Sequence, residues 1–386
     1  MTIKTLAVFG TRPEAIKMAP LVNFLAQDKR FSSTVAVTAQ HREMLDQVLE
    51  LFEITPAYDL NIMHHKQTLF DITSGALLGL DDVYKQEKPD IVLVHGDTTT
   101  TFAASLAAYY NQIPVGHIEA GLRTYNKFSP FPEEMNRKLT GAIADYHFAP
   151  TKTAKENLLR ENIPADKIIV TGNTVIDALL ETVGKPYEFS DKKLAEIDFV
   201  HKKILLVTCH RRENWGEPMR QIFRALRRLV EKHSDVEIIF PVHKNPLVRE
   251  LSSEILGGVQ GVHLIEPLDY QPFVKLMEKC YFLLTDSGGM QEEAPSLGKP
   301  VLVLRETTER PEALDAGTVK LVGTNEEAIF SLSEELITNI DSYKKMANAV
   351  NPYGDGKACA RIADALAFYF GQAPQKPQEY AKYCII

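Results

Sequence analysis

"LLTDSGGMQEEAPSLGKPVLVL", residues Leu283 to Leu304, is the stretch on which the fold turns. An apolar run ends at Thr285-Asp286, Ser287-Gly288-Gly289 turns the chain, and a short segment carrying Glu292 and Glu293 leads to a second apolar run. Strand, turn, helix and strand in so few residues make one unit of an open α/β sheet. Bare backbone and two acids stand at the carboxyl end of its first strand, where such sheets bind ligands.

The same grammar extends in both directions. Strands are expected at Thr5–Phe9, Thr34–Thr38, Ile91–His95, Val115–Ile118, His147–Ala149 and Ile168–Thr171 in the first half. In the second half they fall at Ile204–Cys209, Glu237–Val242, His263–Ile265, Tyr281–Thr285, Val301–Leu304 and Lys320–Val322. Helical patterns separate nearly all of them, which implies parallel sheets covered on both faces. At 386 residues the chain is too long for one ordinary domain. The helix in "NTVIDALLETVGKPYEF" loses its pattern near Gly184-Lys185-Pro186, where the halves divide. A last helix runs from Ala358 to about Phe370. Two doubly wound domains leave a cleft as the default binding site.

Net charge is −8, and no long basic run offers a nucleic-acid footprint. Arg220, Arg224, Arg227 and Arg228 share a helix with the apolar stripe of Met219, Ile222, Phe223, Leu226, Leu229 and Val230, so they read as its wet face. Cys209, Cys280, Cys359 and Cys384 lack metal spacing and form no disulfide framework. "YCII" places Cys384 one position off a prenylation box. No run approaches membrane-spanning length and no signal-peptide pattern is present, so a cytoplasmic protein is expected.

The other strand ends hold the remaining candidates. In "VFGTRPEAIKMAP", Gly10 allows a tight turn, Pro13 suits a first helical turn, and Arg12 and Lys17 flank a helix start that attracts phosphate. A surface Arg and Lys beside a cap is the plain alternative. Asp97 in "VLVHGDTTTT" either caps the next helix or does chemistry. Alternation puts His117 and Glu119 on one side of a strand; with no third ligand in spacing, an acid or base role for Glu119 is preferred to a metal pair. "SPFPEEMNRKL" supplies Glu133 and Glu134, one of which serves the helix dipole alone.

In the second half, His210 ends a strongly apolar strand beside Arg211 and Arg212, an arrangement that suits a diphosphate better than a buried structural histidine. His243 repeats the pattern with weaker support, and Phe273 fits a core or a base-stacking surface equally. Ser287, Gly288 and Gly289 can bring N–H groups close to phosphate oxygens. Glu293 can accept two ribose hydroxyls, and Arg310 precedes another proline-initiated helix. There is no GxGxxG, no GxxxxGK[ST], no GxSxG and no D-x-D. What remains is acids on one side and diphosphate donors on the other.

"FGTRPEAIKMAP", "HGDTTTT", "GHIEAGLRT", "PEEMNR", "TGNTVIDALL", "CHRREN", "DSGGMQEEAPSLGKPVLVLRETTERPEAL" and "LVGT" closely resemble the bacterial non-hydrolysing UDP-N-acetylglucosamine 2-epimerases, from Phe9 to Gly323 and on into "NPYGDG". The resemblance implies an α/β fold of two Rossmann-like domains in a GT-B arrangement, with the active site in the interdomain cleft. Residues 1–178 would carry the catalytic carboxylates and be completed by a C-terminal helix over 357–386; residues 179–356 would bind UDP. It implies an isomerase that interconverts UDP-GlcNAc and UDP-ManNAc, needs no cofactor or metal, and supplies UDP-ManNAc for surface polysaccharide. Elimination of UDP gives 2-acetamidoglucal, and re-addition returns the C2 proton from the opposite face.

By the same resemblance, Asp97, Glu119 and Glu133 are the acid and base groups and His210 assists the departing UDP. Arg12, Lys17, Ser287, Gly288, Gly289, Glu293 and Arg310 hold UDP, with Phe273 near the uracil. Leu268 stands where some members carry Gln. Gln40, Glu43 and Lys66 fall where a second UDP-GlcNAc would bind as activator. A homodimer is implied, without nucleic-acid or membrane partners.

Three other readings compete. A hydrolysing 2-epimerase would release free ManNAc, but those relatives tend to carry Arg where this chain has Thr98. A GT-B glycosyltransferase would share the nucleotide site but need an acceptor, and three carboxylates at successive strand ends speak for proton shuffling instead. A non-catalytic nucleotide-sugar sensor would not need intact acids.

Overall fold

The computed structural model of the chain describes residues 2–40 and 42–381. The end of the expected 357–386 segment, with Cys384, lies outside the described residues. The chain forms two compact units: Met1–Glu181 with Tyr353–Ile386, and Thr182–Pro352.

The first unit is built on one sheet of seven strands: β1 (Ile3–Phe9), β2 (Phe31–Val37), β3 (Tyr58–Asp59), β4 (Ile91–His95), β5 (Val115–Ile118), β6 (Tyr146–Ala149) and β7 (Ile168–Val170). Their order is β3-β2-β1-β4-β5-β6-β7. The second unit holds β8 (Lys203–Thr208), β9 (Val236–Pro241), β10 (Val262–Ile265), β11 (Phe282–Thr285), β12 (Val301–Val303) and β13 (Val319–Leu321), in the order β10-β9-β8-β11-β12-β13. All the pairings described are parallel. Every strand expected from the sequence forms. The additional one, β3, is a two-residue edge strand too short to leave a pattern.

In each sheet the chain winds outward from its first strand and then crosses back over it. The winding reverses between β1 and β4, and again between β8 and β11. Loops leaving adjacent strands in opposite directions open a crevice at such a switch point. Both candidate clusters lie there.

Amphipathic helices cover the sheets. Helix Glu217–Lys232 buries Met219, Ile222, Phe223, Leu226, Leu229 and Val230 in the second core. Its arginines are paired outward: Arg220 with Glu254, Arg224 with Glu217, Arg227 with Glu231, and Arg228 with Glu326 and Glu327. The wet-face reading holds. Helix Ala358–Tyr369 belongs to the first unit. Asp177 accepts the Ala358 and Cys359 N–H groups at 3.2 and 3.0 Å, Arg30 meets Asp364 at 2.8 Å, and Tyr369 stacks on Tyr146 with centroids 4.1 Å apart.

Candidate active site

The first cluster begins where β1 runs into helix Arg12–Gln27. Thr11 and Glu14 form a capping box there. Glu14 is buried and does more than cap. One oxygen accepts from Gly10 N, Thr11 N and Thr11 Oγ1 at 3.1, 2.9 and 2.8 Å; the other accepts from Thr98 Oγ1 and Thr101 Oγ1 at 2.6 and 2.9 Å. Burial pushes its pKa up against these bonds. The loop after β1 and the loop after β4 are thereby tied together. Gly10 is required by close approach: a Cβ there would sit 2.0 Å from Thr38 Oγ1 and 2.7 Å from Thr100 Oγ1.

Thr98, not Asp97, caps the helix after β4, accepting from Thr101 N at 3.1 Å. Asp97 is therefore released from capping, and its carboxylate pairs with Arg137. Its backbone oxygen accepts from Asn136 Nδ2 at 3.0 Å. Both partners come from helix Glu133–Ile143, so Glu133 opens the helix that holds Asp97. Of the two glutamates, Glu134 is the buried structural one: it accepts from Thr124 N and Tyr125 N at 3.0 and 2.9 Å and pairs with Arg137 at 3.1 Å. The half-buried Glu133 carboxylate has no hydrogen-bond or ion-pair partner among the described residues.

Glu119 lies just past β5 with φ of +60°, a turn that carries its side chain away from His117. His117 Nε2 instead bonds the Gly96 carbonyl at 2.7 Å, so the two form no metal pair. Glu119 pairs with Lys17, accepts from Asn173 Nδ2 at 2.7 Å, and has His95 Nε2 at 3.8 Å. A Cβ on Gly96 would come within 3.7 Å of Glu119 Oε1, which sets this carboxylate beside the Gly96-Asp97 turn. Lys17, expected to face an anion, meets one supplied by the chain itself. Arg12 is half-buried, and its guanidinium has no partner among the described residues. Gln40 joins from the end of β2, accepting from Thr100 Oγ1 at 3.2 Å through its side chain and from Gln67 Nε2 at 3.1 Å through its carbonyl. Glu43 and Lys66 are exposed.

The second cluster sits at the β8–β11 switch point. Thr208 and Thr285 are register partners with hydroxyls 2.5 Å apart, so the residues after them are neighbours too. Asp286 is fully buried. Its Oδ2 accepts the His210 and Arg211 N–H groups, each at 2.8 Å, and Asn214 Nδ2 at 3.1 Å. Its Oδ1 lies 3.2 Å from His210 Nδ1. Burial alone would raise the Asp286 pKa, but the His210 side chain and these donors hold it below the ordinary value.

His210 and His243 stack with centroids 5.6 Å apart. Together with Phe273, Leu268, Ser287 and Met290 they line a cavity of about 180 Å³. Ser287 N bonds Thr285 Oγ1 at 2.9 Å, and helix Gly288–Glu293 follows. A Cβ on Gly288 would stand 4.0 Å from Arg310 Nη2, and one on Gly289 3.7 Å from Glu293 Oε1. Ser287, Gly288, Gly289, Glu293 and Arg310 are thus brought together. The adjacent acids divide their work. Glu292 is buried against Arg310, and Glu293 accepts from the Tyr270 hydroxyl at 3.2 Å.

Sequence reasoning passed over Glu14, His95, Arg137 and Asp286. For Asp286 a signal existed: an acid directly after a strand that pairs in register with the strand of His210.

Residues 23–367 match the protein-family profile described as UDP-N-acetylglucosamine 2-epimerase. The chain is 59% identical to the UDP-N-acetylglucosamine 2-epimerase of Bacillus subtilis strain 168 over 378 residues, 98% of each chain. It is 57% identical to that of Escherichia coli K12 over 370 residues, 94% of this chain and 98% of the other. The crystal structure of UDP-GlcNAc 2-epimerase from Neisseria meningitidis bound to UDP-GlcNAc superposes with a TM-score of 0.85 at 56% identity, covering 95% of this chain and all of that one.

Proposed function

The chain belongs to the UDP-N-acetylglucosamine 2-epimerase family, and from that premise we propose how its strand-end residues divide the chemistry. The fold is α/β, two Rossmann-like sheets of GT-B type. The enzyme is an isomerase of the non-hydrolysing kind, interconverting UDP-GlcNAc and UDP-ManNAc through elimination of UDP to 2-acetamidoglucal and re-addition.

The C2 hydrogen is not acidic, so departure of UDP must develop charge at C1 before or while that hydrogen leaves. Two carboxylates are then needed at C2, one to accept a proton and one to deliver it. Asp97, Glu119 and Glu133 supply them. The observation that carries this reading is their unequal setting. Asp97 and Glu119 are each paired with a cation of the chain, while Glu133 is left uncommitted. In the second unit His210 assists the leaving diphosphate. Gly288, Gly289 and Arg310 hold its oxygens, Ser287 stands beside them, Glu293 takes the ribose hydroxyls and Phe273 lies by the uracil. Arg12 and Lys17 are the further cations proposed for UDP.

Incubation with UDP-GlcNAc alone in deuterated buffer, followed by proton NMR, tests this. UDP-ManNAc carrying deuterium at C2 is expected. Free ManNAc with UDP would transfer the chain to hydrolysing chemistry, and no reaction at all would overturn the carboxylate roles.

Regulation and assembly extend the reading. A second UDP-GlcNAc is proposed at Gln40, Glu43 and Lys66, supported by the bond from Thr100 that links Gln40 to the helix following Asp97. A homodimer is proposed from the family resemblance. Among the described residues no helix is long and apolar enough to cross a membrane. The cytoplasm is the proposed compartment, in keeping with the three free, buried cysteines among the described residues, and surface polysaccharide the proposed destination of the product.

A further inference from the structure

We propose that Asp286 is a positioning residue: it holds the Nδ1–H and the orientation of His210, so that Nε2, when it too carries a proton, donates that proton to the departing diphosphate. This rests on the reading of His210 given above. The Asp286 carboxylate is fully buried, and three of its contacts, from His210 N, Arg211 N and Asn214 Nδ2, anchor the loop. The other oxygen lies 3.2 Å from His210 Nδ1, an ion-pair contact not aligned as a hydrogen bond, and it has no hydrogen-bond partner among the described residues. A carboxylate accepts and cannot donate, so the facing nitrogen carries a proton. That leaves Nε2 for the cavity which His210 lines with Ser287.

Two further groups lie against the pair, His243 and Cys209. His243 packs on the ring face, where it can stack but not bond, and burial together with His210 lowers its pKa. The Cys209 thiol is held protonated by burial and by Asp286. A hydrogen-bonded carboxylate behind a working histidine is a recurrent means of fixing which nitrogen faces the substrate.

The test reads the ring directly. In wild-type enzyme labelled with ¹⁵N-histidine, with His210→Asn used for assignment, the His210 resonances should show a protonated Nδ1. In Asp286→Asn an amide group can face the ring, and the Nδ1 proton should be lost. In that variant kcat should fall about 100-fold while KM moves less than about 3-fold, since the loop keeps one acceptor oxygen. A wild-type ring protonated only at Nε2 overturns the proposal without recourse to any variant. Normal turnover in Asp286→Asn with slow turnover in His210→Asn overturns it while sparing the role of His210. Normal turnover in both removes the role of His210 and this inference with it.

Discussion

Gly10→Ala probes the packing beneath the first cluster with a single methyl group. The added Cβ would stand 2.0 Å from Thr38 Oγ1, 2.7 Å from Thr100 Oγ1 and 3.3 Å from Thr38 Cβ, against about 3.5 Å for comfortable contact between heavy atoms. Neither hydroxyl can simply swing aside, because they bond each other at 2.9 Å and Thr100 also bonds Gln40. Moving Thr38 off its rotamer costs about 0.5–1.5 kcal/mol. Losing its bond to Thr100 costs about 1 kcal/mol. A loss of roughly 1.5–2.5 kcal/mol is expected, which lowers the unfolding midpoint of a unit this size by about 3–10 °C. Turnover should fall as well, since Thr100 lies in the first turn of the helix that follows Asp97. Thermal unfolding by circular dichroism and initial rates read both effects. Thr38→Ala removes the closest atom, so in the double variant it should recover at least half of the lost stability, with a coupling above about 1 kcal/mol. A Gly10→Ala enzyme within about 0.5 kcal/mol of wild type, or strict additivity with Thr38→Ala, would refute the reasoning.

Asp97→Asn and His210→Ala should reduce turnover about 100-fold or more while UDP binding measured by calorimetry changes far less; unchanged turnover in both would remove their assigned roles. Rates against UDP-GlcNAc concentration should be sigmoidal, and UDP-GlcNAc should activate the reverse reaction; a hyperbolic curve without activation would argue against a second site. Acid stability should follow three buried histidines, His95 and His147 lowered to about 4 and His117 to about 3, each mainly by burial. Because the folded values lie below the unfolded value of about 6.5, the unfolded chain binds these protons first. Stability is therefore full above pH ~6.5 and falls as the pH drops towards about 4, by up to roughly 3 kcal/mol for each ring. Urea midpoints across this range check the slope, and His147→Gln should reduce it by about one proton; an unchanged slope would show that His147 does not contribute.

What could be read along the chain was whatever is local. β4 forms at the expected residues because its run Ile91–Val94 is unbroken and apolar, and β5 is bounded by Pro114 and by the turn at Glu119. β3 escaped because Tyr58 and Asp59 carry no alternation and pair only with the end of β2. The candidates of the second unit converge as expected, since they sit on loops following neighbouring parallel strands. The partnerships were not legible, because they depend on register across the sheet rather than spacing along it. Lys17 finds Glu119 from 102 positions away, and Asp97 finds Arg137 from 40. Asp97 also looked like a cap until the folded turn gave that task to Thr98, one residue later.

The return of the tail to the first unit has a consequence for synthesis on the ribosome. Residues 182–352 are a contiguous stretch that can collapse around its own sheet once it has emerged. The first unit has an earlier start and a later finish. Asp177 and Tyr146 are translated long before Ala358 and Tyr369, the residues that satisfy and cover them. Until then the surface awaiting helix Ala358–Tyr369 stays open to solvent and to chaperones. A released chain that ends at Pro352 would therefore carry a complete second unit and an unfinished first one.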